Sequence, residues 1–156
     1  MLQTFRRRVL AVAFALIPFV SASPVLADDA KTFVATATGQ IVELTPCGAL
    51  MCQVARVSGK ATRFGLLTGE LHEAVDIVTG AYTGTAVFAF QNGDTISTEY
   101  VGQVISQDSG LTTFVEDHTI VAATGRLLGT NGHLDVLGTA DAGGKLSITG
   151  DGAVFK

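Results

Sequence analysis

The feature that most constrains this fold is a two-residue alternation of apolar and polar side chains, in short runs separated by glycine-bearing turns. The run at residues 96–104, ISTEYVGQV, is an example. Side chains two positions apart lie on the same face of a strand, so one face of this run is mainly apolar and the other mainly polar. The sequence after Ala27 shows no helical spacing of apolar residues. The pattern therefore predicts half-buried antiparallel strands.

Turn sequences such as Asn92-Gly93-Asp94 and Asn131-Gly132 divide the chain into about eight strands. The predicted strands cover residues 31–42, 52–60, 64–78, 82–91, 95–106, 111–123, 132–140 and 145–155. A single open sheet of this length would expose an apolar face and two edges, and closure into a barrel or folding into a sandwich avoids this. We predict an all-β fold, a closed eight-stranded antiparallel β-barrel whose interior is filled by side chains or holds one small ligand.

Glycines within the predicted strands fit a tightly coiled barrel, for example Gly69, Gly84, Gly102, Gly138 and Gly150. A strand glycine usually marks a bend or a bulge where a β-carbon would clash. The stretch ATGRLLGTNG at residues 123–132 is interpreted as a bulged corner between strands. It lacks the lysine and the following helix of a phosphate-binding loop. Arg126 in this corner is expected to pair with a carboxylate.

Residues 1–27 have the features of a cleavable export signal. Three arginines at positions 6–8 precede an apolar run at 9–20, and the stretch ends in Val25-Leu26-Ala27. This order is typical of a signal peptide, and the run is too short for a membrane-spanning helix, which needs about 20 apolar residues. We predict a signal peptide at 1–27, a single barrel domain at 28–156, and a secreted or periplasmic location.

The charge of the exported part limits its partners. Seven basic side chains remain after Ala27, against fourteen acidic ones. An acidic chain without a lysine or arginine cluster is repelled by phosphate backbones and by anionic membrane surfaces. We therefore expect neither a nucleic-acid partner nor a stable membrane anchor.

Cys47 and Cys52 are the only cysteines in the sequence. In an oxidising compartment this pair favours a structural disulfide, with free thiols as the alternative. A zinc or redox site is not expected, because the spacing is not that of a C-x2-C motif and no second His or Cys pair follows. The sequence predicts neither a metal nor a cofactor.

A resemblance to the allene oxide cyclase and dirigent-type barrel superfamily, especially its small secreted bacterial members of unassigned role, is carried by four stretches in their order and spacing. These are GKATRFG at 59–65, FQNGDTISTEYVG at 90–102, ATGRLLGTNGHLDVLGTAD at 123–141 and SITGDGAVF at 147–155. Arg63 and Leu127-Leu128 depart from the residues usual in such chains. The resemblance implies an eight-stranded barrel with a central apolar cavity, often in oligomers, and it transfers no catalytic residue.

Four polar residues are candidates for contact with a ligand: Glu73, Tyr100, Glu116 and His118. Glu73 has the parity of an apolar face, where a carboxylate must be paired, protonated or next to a wet cavity. A one-residue bulge would turn it outward instead, and this interpretation is favoured. Glu116 and His118 share a face with apolar neighbours, although a solvent-exposed pair is the favoured interpretation. Tyr100 either directs its hydroxyl at a ligand or fills the core, and His72 is expected on the surface.

No catalytic constellation stands out in the sequence. A Ser-His-Asp arrangement cannot be assembled from it, and it has no G-x-S-x-G motif. We expect an exported barrel that binds a small hydrophobic molecule or serves as a non-catalytic module, and that forms a homo-oligomer if it follows the resemblance. One alternative is a cofactor-independent cyclase or isomerase acting on a hydrophobic substrate. Another is a small outer-membrane barrel, which the absence of tryptophan disfavours.

Overall fold

The computed structural model describes residues 30–156, which form eight strands and one short 3-10 turn, Gly125–Leu127. The predicted signal peptide lies outside the described residues. The strands are β1 Lys31–Cys47, β2 Leu50–Ala61, β3 Gly65–Val75, β4 Ala81–Phe90, β5 Thr95–Asp108, β6 Leu111–Ala123, β7 Asn131–Asp141 and β8 Lys145–Phe155.

The strands form a closed antiparallel barrel in simple chain order. Each strand pairs with the next one, and β1 pairs with β8 to complete the ring. The predicted fold class is therefore confirmed. Because the sheet is closed, neither of its edges is left unpaired and exposed, as the edges of a single open sheet would be.

Two strands end three residues or more away from the predicted position, for local reasons. β1 continues to Cys47 because its hairpin with β2 stays paired up to the turn, where Cys47 and Cys52 form the predicted disulfide. β3 stops at Val75 because the Asp76 carboxylate accepts a hydrogen bond from the Val78 amide at 2.8 Å, which starts a turn.

Bulges occur at three exposed apolar residues, Val42 in β1, Ile105 in β5 and Val121 in β6, where the strand register shifts. They do not fall on the strand glycines, so the expectation that those glycines mark bulges is wrong. The expectation of a β-carbon clash is right for another reason. Gly138, for example, lies directly beneath the ring of Phe114, and a β-carbon there would overlap that ring. The glycines make room for aromatic side chains inside the barrel.

The two ends of the barrel differ. We call the end formed by the turns after β1, β3, β5 and β7 the open end, and the other the closed end. Aromatic side chains fill the closed end: the Phe64 ring centroid lies 5.1 Å from that of Phe33 and 5.1 Å from that of Phe90. Such a cluster buries a large apolar area and seals the barrel at this end.

The glycine-rich corner between β6 and β7 lies at the closed end. It contains the 3-10 turn, with Gly125 and Gly129 at φ values of 61° and 76°, rather than the predicted bulge. Arg126 pairs with a carboxylate as predicted: its backbone amide and its Nε each lie 3.1 Å from an oxygen of Asp94. These contacts lower the pKa of Asp94, the backbone hydrogen bond most strongly. The corner is thus part of the closure of the barrel.

Candidate functional site

Glu73, on β3, points into the barrel, so the favoured outward interpretation is wrong. β3 pairs with both neighbours without a register shift, and the alternation that buries Leu71 also turns Glu73 inward. The Glu73 carboxylate accepts hydrogen bonds from the Tyr100 hydroxyl at 2.8 Å and from the Gln53 side-chain amide. Burial raises the pKa of Glu73, and the nearby charge of Glu116 raises it further.

Glu116 and His118, on β6, form a buried pair, so the favoured exposed interpretation is wrong here too. His118 Nε2 lies 2.9 Å from Glu116 Oε2, and the two side chains are only 1% and 3% exposed. The other ring nitrogen of His118 lies 2.9 Å from the Thr98 hydroxyl, and the Tyr82 hydroxyl donates to Glu116 at 3.0 Å. Every fully buried side-chain nitrogen and oxygen of the described residues has a hydrogen-bond partner. The buried network is therefore fully satisfied.

Each tyrosine reaches its carboxylate across a glycine on the intervening strand. Gly84 stands in register between Glu73 and Tyr100, and the Tyr100 ring lies over it. Gly102 has the same position beneath Tyr82, whose hydroxyl reaches the carboxylate on β6. A β-carbon at either glycine would collide with the ring, so the two glycines create the space in which these hydrogen bonds form.

The two carboxylate groupings join into one unit through aromatic contacts. The Tyr100 ring stacks on the His118 ring at 4.2 Å, and the Tyr82 ring meets Tyr100 edge-on at 6.4 Å. Burial raises the pKa of both tyrosines, and the carboxylates beside them add to that rise. Both hydroxyls therefore stay protonated and act as donors. We call this unit the interior cluster, and it consists of Gln53, Glu73, Tyr82, Thr98, Tyr100, Glu116 and His118.

A cavity of about 240 Å³ extends from the interior cluster to the open end of the barrel. Its polar inner lining comes from Gln53, Glu73, Tyr82 and Glu116. Its walls are largely apolar and include Leu71, Val75, Val104, Phe114, Leu146 and Ile148. Gln107 and Asp141 stand at its exposed rim. The arrangement offers a small apolar space with hydrogen-bonding groups at its inner end and an entrance at the open end.

A second cavity of about 30 Å³ lies deeper in the barrel, beside Glu116 and His118. It has space for about one water molecule. Its other lining residues are mainly apolar, including Val57, Leu67 and Phe88. Of these two cavities, only the one near the open end has room for a ligand.

The interior cluster can hold a polar group of a ligand and can exchange a proton with it. Glu73 and Glu116 line the cavity and offer acceptor oxygens there, while the tyrosine hydroxyls already donate to these carboxylates. The raised pKa of Glu73 allows this carboxyl to carry a proton closer to neutral pH than an exposed glutamate does. Among residues 30–156, no group of three His, Cys, Asp or Glu side chains is placed to hold a metal ion.

The structure brings together all four sequence candidates, Glu73, Tyr100, Glu116 and His118, in this cluster. Sequence reasoning missed three members. Tyr82 could have been detected, because it has the same inward parity as Gly84 and lies opposite a glycine of the neighbouring strand, Gly102. Gln53 and Thr98 also have the inward parity of their strands, but only the strand register places these two beside a carboxylate and an imidazole.

His72 lies on the outer surface as expected, and its side chain is 58% exposed. Its Nε2 lies 3.0 Å from Glu70, which also accepts from Arg56 at 3.1 Å. The hydrogen bond from Arg56 lowers the pKa of Glu70 most, and that from His72 contributes next. These residues are separated from the cavity by the strand itself.

Comparison with known proteins gives a likeness of fold. No family model matches the chain, and no curated protein matches it in sequence. Among solved structures, a pterocarpan synthase dirigent protein superposes with a TM-score of 0.56 at 13% sequence identity, over 83% of this chain and 96% of that one. The chain therefore has a dirigent-like barrel fold. In the described part of the chain, no helix is long and apolar enough to cross a membrane.

Proposed function

We propose that this chain binds a small, mainly apolar molecule with one polar group in the open-end cavity, and that it does so without transforming it. The observation that carries the proposal is a cavity of about 240 Å³ with apolar walls and hydrogen-bonding groups at its inner end. Small-molecule sites usually combine these two properties. The volume corresponds to about eight waters at about 30 Å³ each, which suits a ligand of roughly ten non-hydrogen atoms.

We further propose that the protein works after export, with residues 1–27 as its signal peptide. The disulfide between Cys47 and Cys52 supports this, because such bonds persist in oxidising compartments. We also propose that the chain is related to the allene oxide cyclases and to small secreted bacterial barrels, as the resemblance of its sequence implies. Sequencing the amino terminus of the protein recovered outside the cytoplasm tests the proposed export. A terminus at Asp28 is expected, and recovery of the uncleaved chain from the cytoplasm would contradict it.

The outer-membrane alternative is not favoured, because of the charges on the outer surface. Asp117, Asp135 and Asp151 lie side by side in the register of β6, β7 and β8, and all three are exposed. Charged side chains at the depth of the hydrocarbon are costly on the lipid face of a barrel. We therefore propose that this surface faces water.

Occupying the cavity with a side chain tests the binding proposal. Ala140 lines the cavity from β7, and its neighbour Thr139 has the opposite parity. Native mass spectrometry of protein purified from its own host should show a co-purifying small molecule in the wild type and in Thr139→Phe. The Ala140→Phe variant should lose it. Equal retention by both variants, or no bound mass in any of them, would contradict the proposal.

A second candidate, a cofactor-independent cyclase or isomerase, is favoured by one observation: the Glu73 carboxyl has a raised pKa and lines the cavity. Such a group can act as a general acid. The dirigent protein that superposes on this chain is named a pterocarpan synthase, which agrees with this second candidate. If the protein is an enzyme, Glu73→Gln should abolish turnover of an identified ligand, while the ligand still binds to the variant. Recovery of the bound molecule unchanged after long incubation with the wild type favours the binding module.

A further inference from the structure

The charged side chains that line the open-end cavity all have the same sign. Glu73 and Glu116 lie at its inner end and Asp141 at its rim, and none of the lysines and arginines in residues 30–156 lines it. Four cationic side chains lie at the opposite end of the barrel, where they line a groove at the closed end: Lys31, Arg63, Arg126 and Lys156. The field inside the cavity is therefore negative whenever its carboxylates are ionised.

The two inner carboxylates differ in their hydrogen-bond partners. The Glu116 carboxylate lies 2.9 Å from a ring nitrogen of His118, a side chain that is cationic when it is protonated. Among residues 30–156, the Glu73 carboxylate has two hydrogen-bond donors, Tyr100 and Gln53, and both are neutral. An ionised carboxylate has about four acceptor positions, so these two bonds leave about two of them free. Glu73 lines the cavity, and the free positions are open to a ligand there.

Charges at the entrance act in the same direction. Glu43, Asp76, Asp108 and Asp141 lie at or near the open end, where the described residues include one lysine, Lys145. Aligned charges of one sign around a cleft attract ligands of the opposite sign and repel those of the same sign. A carboxylate ligand such as a fatty acid would meet like charge both at the rim and inside.

We propose that the ligand of the open-end cavity is a small lipophilic ammonium ion, whose N–H groups donate to Glu73 while its apolar part lies against the walls. This deepens the binding function proposed above and rests on it. A protonated amine supplies the counter-charge that Glu73 lacks, and a charge-assisted hydrogen bond is roughly twice as strong as a neutral one. An amine with a single ring has roughly ten non-hydrogen atoms and therefore fits the cavity.

Three probes of nearly equal size test the proposal by calorimetric titration of the exported protein at neutral pH. Phenethylamine is cationic, phenethyl alcohol is neutral and phenylacetate is anionic. We expect the amine to bind at least about tenfold more tightly than the alcohol, and the acid to bind most weakly. Equal or tighter binding of the alcohol or the acid would overturn the inference and leave the binding function standing. Absence of binding by all three would overturn both.

A matched pair of variants on β3 tests the role of Glu73. Glu73→Gln keeps an acceptor for Tyr100 but removes the charge, and Glu70→Gln removes a charge from the outer face of the same strand. The amine should lose about tenfold in affinity relative to the alcohol in the first variant, and the ratio of the two affinities should keep its wild-type value in the second. An amine preference that survives Glu73→Gln refutes the assignment. The comparison of the three probes in the wild type does not depend on the folding of either variant.

Discussion

The sequence Glu-x-His occurs on two strands, once outside the barrel and once inside, and this allows the effect of burial to be measured at fixed local geometry. Glu70 and His72 on β3 are 3.0 Å apart, with side chains 44% and 58% exposed. Glu116 and His118 on β6 are 2.9 Å apart, with side chains 3% and 1% exposed. Replacing each histidine by leucine perturbs the same pair in two different environments.

The His118→Leu variant should be strongly destabilised. Glu116 keeps only the hydrogen bond from Tyr82, and the Thr98 hydroxyl loses its partner. Breaking a buried pair by removing one member costs about 3–5 kcal/mol. With a urea m-value of about 2 kcal/mol per molar, the midpoint of unfolding should fall by about 2 M. His72→Leu should leave the midpoint unchanged, because its pair is solvated and screened.

Urea unfolding followed by far-ultraviolet circular dichroism measures both variants. Tyr82 and Tyr100 are the only tyrosines and the sequence has no tryptophan, so tyrosine fluorescence reports on the interior cluster separately. A double variant, Glu116→Leu with His118→Leu, should recover part of the loss, because it removes the buried carboxyl group together with its partner. A midpoint for His118→Leu that is no lower than that of His72→Leu would refute the reasoning.

Three further predictions concern stability. Burial raises the pKa of Glu73 above its ordinary 4.5, so the folded state holds a proton that the unfolded state releases. The stability that Glu73 contributes should be fully present below about pH 4.5 and be lost as the pH rises through the pKa of Glu73 in the folded state. Glu73→Gln removes this titration and should flatten the pH profile of the urea midpoint. A parallel profile in the variant would contradict this. Replacing Cys47 and Cys52 by serine should lower the free energy of unfolding by about 2 kcal/mol, because the bond closes a short loop; an unchanged midpoint in urea would contradict it. Gly102→Ala should displace the Tyr82 ring and cost about 1–3 kcal/mol, with a change in tyrosine fluorescence; native fluorescence and an unchanged melting temperature would show that the ring has room.

Local pattern was sufficient to predict most of the architecture. The alternation in runs such as 96–104 and the Asn-Gly turns located all eight strands, and the closed barrel followed from the need to pair the edges. The inner face of β5 was also assigned correctly, with Tyr100 among its members. These features depend on neighbours one or two positions away, which the sequence displays directly.

Local pattern was insufficient for the polar residues of the interior. The parity of Glu73 and Glu116 pointed inward, yet solvent exposure was favoured for both, by way of a bulge for Glu73. A carboxylate on an apolar face is costly unless it has partners. Those partners come from other strands: Tyr100 is 27 positions from Glu73, and Tyr82 is 34 positions from Glu116. The bulges were also misplaced, since they fall on Val42, Ile105 and Val121 and not on glycines.

The sequence by itself determined the strands, their turns and the inward parity, because a strand repeats every two residues and a glycine turn is a local structure. Only the tertiary structure decided which polar groups meet inside the barrel and where a cavity remains. Those outcomes depend on the register between strands and on the space above Gly84 and Gly102. Hydrogen bonds between distant residues offset the cost of burying carboxylates, and the register of the closed barrel brings those residues together.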